Sequence, residues 1–266
     1  MRRGAIWGLI LLLIGALLLL DNLGFLGFLG VSVWNLIWPL ALIALGVWFL
    51  LGARRSGRTL ETEALVIPYE GEEQAKIHID YGAGELRIEG DAPLGELLSG
   101  TFSGGVAHEA RRSDNIATIR LWSPARFYGP WDWTSNTRRR WDVHLTAETP
   151  LSLSVKTGAS DTRLNLEDLQ VTRLHIDSGV SSTHIRLPAH AGYTEVTGSS
   201  GAASLSLRVP EGVAARIRTQ GALSSVTVDR GRFPRRADVF ESPDYELAEN
   251  KVDIRLDIGV GSIDVR

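Results

Sequence analysis

Cysteine is absent from all 266 residues, which excludes a disulfide framework, a thiolate metal site and a cysteine nucleophile. Neither sign of charge is in excess. The 28 Lys and Arg against 31 Asp and Glu leave a formal net charge of −3, so no global field draws the chain toward nucleic acid. The sequence has no G-x-S-x-G elbow, no P-loop and no G-x-G-x-x-G between a strand and a helix. The hydrolase, nucleotide-binding and dinucleotide-binding readings therefore lack their motifs. No catalytic residue, cofactor or metal site is expected.

Long apolar runs are present, and both lie at the start. Ala5 to Leu20 reads AIWGLILLLIGALLLL and Val31 to Leu51 reads VSVWNLIWPLALIALGVWFLL. A helix needs roughly 20 apolar residues to cross the hydrocarbon core, and spans over 5–23 and 31–51 meet that. Gly24, Gly27 and Gly30 break the segment between them and allow a tight turn. Neither run has a polar face, which disfavours a buried soluble pair. No A-x-A site follows Leu20 and a second run comes too soon, which disfavours a cleaved signal peptide. The reading is a transmembrane helical hairpin over 1–53 that contacts the lipid bilayer. Arg2 and Arg3 precede it, Arg54, Arg55 and Arg58 follow it, and the intervening loop holds no basic residue. Positive charge stays inside, so both ends are expected to face the cytoplasm.

Residues 54–63 read as a linker, and 64–266 as one all-β domain. Glycine followed by a small or β-branched residue recurs at Gly82, Gly158, Gly179, Gly201, Gly221 and Gly259. The central spacings are 21, 22 and 20 residues (158 to 179 to 201 to 221). Apolar residues stand three places before the glycine, as Ile79, Val155, Ile176 and Leu256, and four and six places after it, as Leu86 with Ile88 or Ile263 with Val265. That is period-two alternation in two short strands meeting at a corner. The corner glycines are expected to need positive φ. The copy at Gly221 is one place out of phase, which a bulge or longer corner would absorb. Units of this size cannot bury an apolar face alone and must stack. The fold class is a β-solenoid or roll of two-strand repeats about 21 residues long, with Val, Ile and Leu between two sheets. Two stretches break the period. The first carries strand candidates at 118–122 and 141–147; the second runs from Asp229 to Lys251 and is expected to add loops or capping strands.

The first interruption contains LWSPARFYGPWDWTSNTRRRWDVHL, with Trp122, Trp131, Trp133, Trp141 and the run Arg138, Arg139 and Arg140. Trp131, Trp133, Arg138, Arg139, Arg140 and Trp141 are the candidate contact. The composition suits a protein hot spot, a lipid headgroup surface, or a cap whose rings cover the end of the stack. His175, His184 and His190 would converge only through accidental stacking, short of the three ligands a metal needs. Asp80, Glu85, Asp161 and Asp177 near the corners are read as Asx turns and solvated edges rather than calcium ligands.

The hairpin, on RRGAIWGLILLLIGALLLLDNLG and VWNLIWPLALIALGVWFLL, resembles the LiaI/LiaF-like transmembrane region of bacterial envelope-stress proteins. IDYGAGELRIEG, IDSGVSSTHIRLP and KVDIRLDIGVGSIDVR resemble the toast-rack β-solenoids of LiaF-like and adhesin-head-like proteins. The resemblance implies a non-enzymatic accessory or sensor protein of the bacterial inner membrane, multi-pass, acting on a membrane or signalling protein partner. Some relatives inhibit a sensor kinase; a chain with only two spans departs from that pattern. The alternative is an exported, adhesin-like or structural solenoid held at the outer face.

Overall fold

The computed structural model describes residues 62–124 and 139–266. The two apolar spans, the linker to residue 61, and Trp131, Trp133 and Arg138 lie outside the described residues. What is described is all β. In chain order the strands are β1 (Thr62–Pro68), β2 (Gln74–Glu89), β3 (Glu96–Ser103), β4 (Ala107–Ser113), β5 (Ile116–Trp122), β6 (Arg140–Leu145), β7 (Leu151–Asn165), β8 (Val171–Arg186), β9 (Tyr193–Arg208), β10 (Ala214–Val228), β11 (Arg235–Arg236), β12 (Val239–Glu241) and β13 (Lys251–Val265). They form one mixed sheet in the order β1-β3-β6-β2-β7-β8-β9-β13-β10-β12-β11, with β4 and β5 branching from β2. The six long strands β2, β7, β8, β9, β13 and β10 run parallel.

Each coil is a single strand of 15 or 16 residues that runs through its glycine, not the pair of separate strands read from the sequence. The two halves still behave as distinct arms. Gln74–Asp80 of β2 pairs with β5, whereas Glu85–Glu89 pairs with β6, so β2 forks at Gly82. Burial explains the arms. In β7 the inward residues are Leu151, Leu153, Val155 and Thr157 before Gly158, then Ser160, Thr162 and Leu164 after it. Alternation passes from odd to even numbers at the corner. A straight strand keeps one parity; slipping by one residue keeps the apolar row facing the same interior after the turn. Inward residues of both arms, such as Ile77, Ile79, Leu86 and Ile88, belong to one core. Buried threonines are satisfied locally: Ser160 and Thr162 hydroxyls lie 3.0 Å apart, and Thr183 donates to Ser181, which donates to Ser178.

The corner glycines do not adopt positive φ: none of the six repeat glycines is among the positive-φ residues. Their requirement is close approach. A Cβ at Gly179, Gly201 or Gly259 would lie 2.8, 3.1 or 2.7 Å from the carbonyl oxygen of Gly158, Gly179 or Gly201, and one at Gly158 would lie closer still to that of Gly82. Gly82, Gly158, Gly179, Gly201 and Gly259 thus stack as one column across five strands. Gly221 stands beside Ile258, and Ala222 takes the register position beside Gly259. No bulge is needed, because β10 pairs with β13 without a register shift and Ile217, Val226 and Val228 align with Ile254, Ile263 and Val265.

The coils also do not stack in chain order. β13, the last strand, inserts between β9 and β10. It is the more apolar of the two: Leu256 stands where β10 has Thr219. An inner position covers both flanks of a strand, and the inward row Ile254, Leu256, Ile258, Ile263 and Val265 is buried throughout. The second interruption supplies β11 and β12 and buries Phe233 and Tyr245, the Arg216 guanidinium of β10 lying 4.1 Å over the Tyr245 ring.

Candidate functional site

The loop singled out from the sequence leaves β5 at Trp122 and returns into β6 at Arg140. Its return root is built from β2. The Arg139 carbonyl accepts two hydrogen bonds, from the Tyr81 hydroxyl at 3.0 Å and from the Glu85 N–H at 2.8 Å. Gly84 between them has φ +130, and a Cβ there would run into both the Tyr81 hydroxyl and the Arg139 carbonyl. Burial, with neighbouring carboxylates, pushes the Tyr81 phenol up to about 12, so it remains a donor.

Trp141 is 1% exposed. Its indole packs against Tyr81 at 4.9 Å between centroids and edge-on to Phe102 at 5.0 Å. This corrects its reading as a contact residue. The alternation of β6 turns Trp141, Val143 and Leu145 inward together, so the indole cannot reach a partner or a headgroup.

Arg140 points the other way, into an ionic knot. Its Nε and Nη2 donate to Glu85 Oε2 at 3.0 and 2.8 Å. Arg87 donates twice to Glu85 Oε1, and Arg163 Nη1 reaches the same oxygen at 2.9 Å. Glu85 is buried, and burial alone would raise its carboxyl; the Arg87 and Arg140 guanidinium groups outweigh that and hold it below its ordinary value. Glu85 is therefore not a solvated corner acid. The sequence hides this, because Arg140 and Arg163 lie 55 and 78 residues away and meet Glu85 only through strand pairing.

A depressed carboxyl contributes stability above its unfolded value and loses it as pH falls through the lower folded value. Glu85→Gln should therefore be less stable than the parent near neutrality. The gap, read from denaturant melts of the full chain, should close as pH falls from about 7 to about 3. A gap constant across that range would remove the knot as the cause.

The outgoing root faces a shallow groove of about 520 Å³ along the corner row. Trp122, 39% exposed, stands at one end; Asp80, Lys156, Asp177 and Ser199 follow across the strands. Asp177 accepts from Ser199 at 2.6 Å and pairs with His175 Nε2 at 3.0 Å. Burial opposes ionisation of Asp177, but these two contacts prevail and lower its pKa. The groove combines an aromatic wall with charges of both signs, which suits recognition. His175, His184 and His190 do not gather. Among the described residues, Glu89, Asp91 and His144 form the one three-residue group of potential metal ligands, within 4.8 Å of one another and largely exposed. Sequence spacing missed it, because His144 meets Glu89 only through the β2–β6 ladder.

The family model described as the N-terminal domain of toast_rack, DUF2154, matches residues 56–208, more than half of the chain. The chain belongs to this toast-rack family. A second model, the LiaI-LiaF-like transmembrane region, matches residues 5–50, which makes the toast-rack chain membrane-associated. No curated protein matches it. Its coil arrangement is similar to that of a proposed cell adhesion protein from Clostridium sporogenes, with a TM-score of 0.70 at 17% identity, covering 77% of this chain and 98% of that one. A proposed adhesin from Bacteroides fragilis matches at a TM-score of 0.31 and 10% identity, over 79% of this chain and 100% of that one. At 17% identity the likeness to the Clostridium sporogenes protein is one of fold alone. Neither matched family description names a catalytic activity.

Proposed function

We propose that this toast-rack protein is an accessory or sensor component of the bacterial cell envelope. In this reading a two-span helical hairpin anchors it in the inner membrane, the β domain lies on the cytoplasmic side, and it acts by associating with a membrane or signalling protein. The observation that supports this reading is how firmly the described residues on either side of 125–138 are held. On the return side, Arg139 and Arg140 are held by Tyr81 and Glu85 next to the buried Trp141; on the outgoing side, the Ser123 N–H donates to the Asp80 carbonyl at 3.2 Å. Trp131, Trp133 and Arg138 are the proposed contact on composition, since aromatic and arginine side chains dominate protein hot spots. Arg140 and Trp141 hold the start of β6 to the β domain, and Arg139 supplies the carbonyl that Tyr81 and Glu85 bind.

Pull-down from membranes tests this. Joint replacement of Trp131, Trp133 and Arg138 by alanine should lower partner recovery at least about tenfold, the effect of losing hot-spot residues, with circular dichroism unchanged. Equal recovery from both proteins would remove the loop as the contact. The second reading, an exported adhesin-like domain, draws on the Clostridium sporogenes structure. The chain has no native cysteine, so a single cysteine at Ser56 separates the two. An impermeant maleimide should label it only after the membrane is opened. Labelling in intact cells would favour the exported form.

A further inference from the structure

A β-sheet edge presents unpaired N–H and C=O groups, and proteins guard such edges with charge, proline, shortness or a covering element. The edges here can be compared within one molecule. The edge of β4 carries Glu109, Arg111 and Arg112; β11 is two arginines; β1 is short, carries Glu63 and ends on Pro68. The first arm of β10 is covered by β12, which pairs with Arg216 and Ile217. Beyond Ile217, no strand among the described residues pairs with the outer side of β10.

That bare stretch, Gly221–Val228, reads GALSSVTV. It holds no charge and no proline, and its β-branched residues suit a strand. It also leaves apolar surface uncovered. Val226 is 37% exposed, although its neighbour in the same inward row, Ile263 of β13, is 1% exposed. Beside it Leu223 is 75% exposed and Val260 52%. One arm of the last coil is capped and the other is left open.

We infer that this open edge pairs with the same edge of a second copy of the chain. The segment Gly221–Val228 would run antiparallel to its counterpart about a two-fold axis, continuing the second-arm sheet across the dimer. Three observations favour a second copy over another occupant. The open backbone groups require an extended segment, and Gly221–Val228 is already one. A charge-free edge meets its own copy without like-charge contact, whereas nothing on it would select a charged partner. The match to a transmembrane region places the copies in one bilayer, which raises their effective concentration. An edge of this length offers about eight inter-strand hydrogen bonds. That is little for a dimer in free solution, where stable interfaces bury roughly 1,200–2,000 Å², so pairing depends on the shared membrane. The inference is independent of the loop at 125–138.

The test uses the full chain in native membranes. Two differently tagged copies are co-expressed and one tag is captured after mild solubilisation. The copies should co-purify, and Ser225→Cys, otherwise cysteine-free, should give a covalent dimer with a short bismaleimide. The same substitution at Ser204 on β9, exposed but away from the edge, should give almost none. Ser225→Lys should cut co-purification at least about tenfold through like-charge contact, with thermal unfolding unchanged. Co-expressing Ser225→Lys with Ser225→Glu should restore it, which a merely misfolded edge could not do. Co-purification unaffected by Ser225→Lys, failure of the Lys and Glu pair to recover, or cross-linking of Ser225→Cys to a different protein would each overturn self-pairing.

Discussion

Truncation of Trp141 to alanine is expected to destabilise the β domain by about 3–5 kcal/mol, the range for deleting a fully buried aromatic side chain. The indole is 1% exposed and wedged between Tyr81 and Phe102, so its removal leaves a cavity that the rigid ladders of β2, β3 and β6 cannot close. The aromatic contacts contribute about 0.5–1.5 kcal/mol each beyond burial. Tyr81 also holds the Arg139 carbonyl, so the loop root should loosen with the core. Trp141→Phe should recover a large part of the loss. Denaturant unfolding of the full chain, followed by circular dichroism, reads all three proteins. A surface contact residue would change stability by no more than about 0.5 kcal/mol; a value that small for Trp141→Ala would return this tryptophan to the surface and undo the described packing.

The glycine column makes the second strong expectation, because it places the same substitution in two unlike surroundings. At Gly158 an added Cβ clashes with the Gly82 carbonyl oxygen, closer than at any other glycine of the column. The atom in the way is backbone, so β2 and β7 must separate and strain the ladder that joins them. Gly158→Ala should cost about 3 kcal/mol, the upper part of the usual range for overpacking. Gly82 begins the column, and a Cβ there meets nothing within 4 Å at an ordinary φ. Gly82→Ala should be neutral or stabilise by about 0.4–1 kcal/mol, since alanine restricts the unfolded chain more than glycine does. Chemical melts of the two proteins side by side decide the matter. Equal effects would mean that the strands are not stacked glycine on glycine.

Much of this was legible in the sequence, for a physical reason. Each coil repeats one close backbone approach, so glycine recurs at a fixed interval, and the apolar rows at fixed offsets follow from facing a shared interior. The interval cannot say which coil neighbours which: the insertion of β13 depends on its inward residues outcompeting Thr219 and its neighbours for the covered position. Nor can it separate tryptophans that share one loop. Trp141 did carry a signal, since it alternates with Val143 and Leu145, but the arginines before it obscured that pattern. Glu85 carried none. Its three arginine partners come from its own strand, from β6 and from β7, and only strand pairing brings them together.

The slip of alternation at each corner restricts how such a chain can change length. One residue gained or lost between the glycine and the arm that follows would turn that arm inside out, putting its wet side chains against the interior and its dry ones into water. A full coil added or removed preserves the phase of every arm after it. Growth and shrinkage of the stack should therefore proceed in whole turns, while length variation of other sizes is confined to the excursions between coils, where no parity has to be kept.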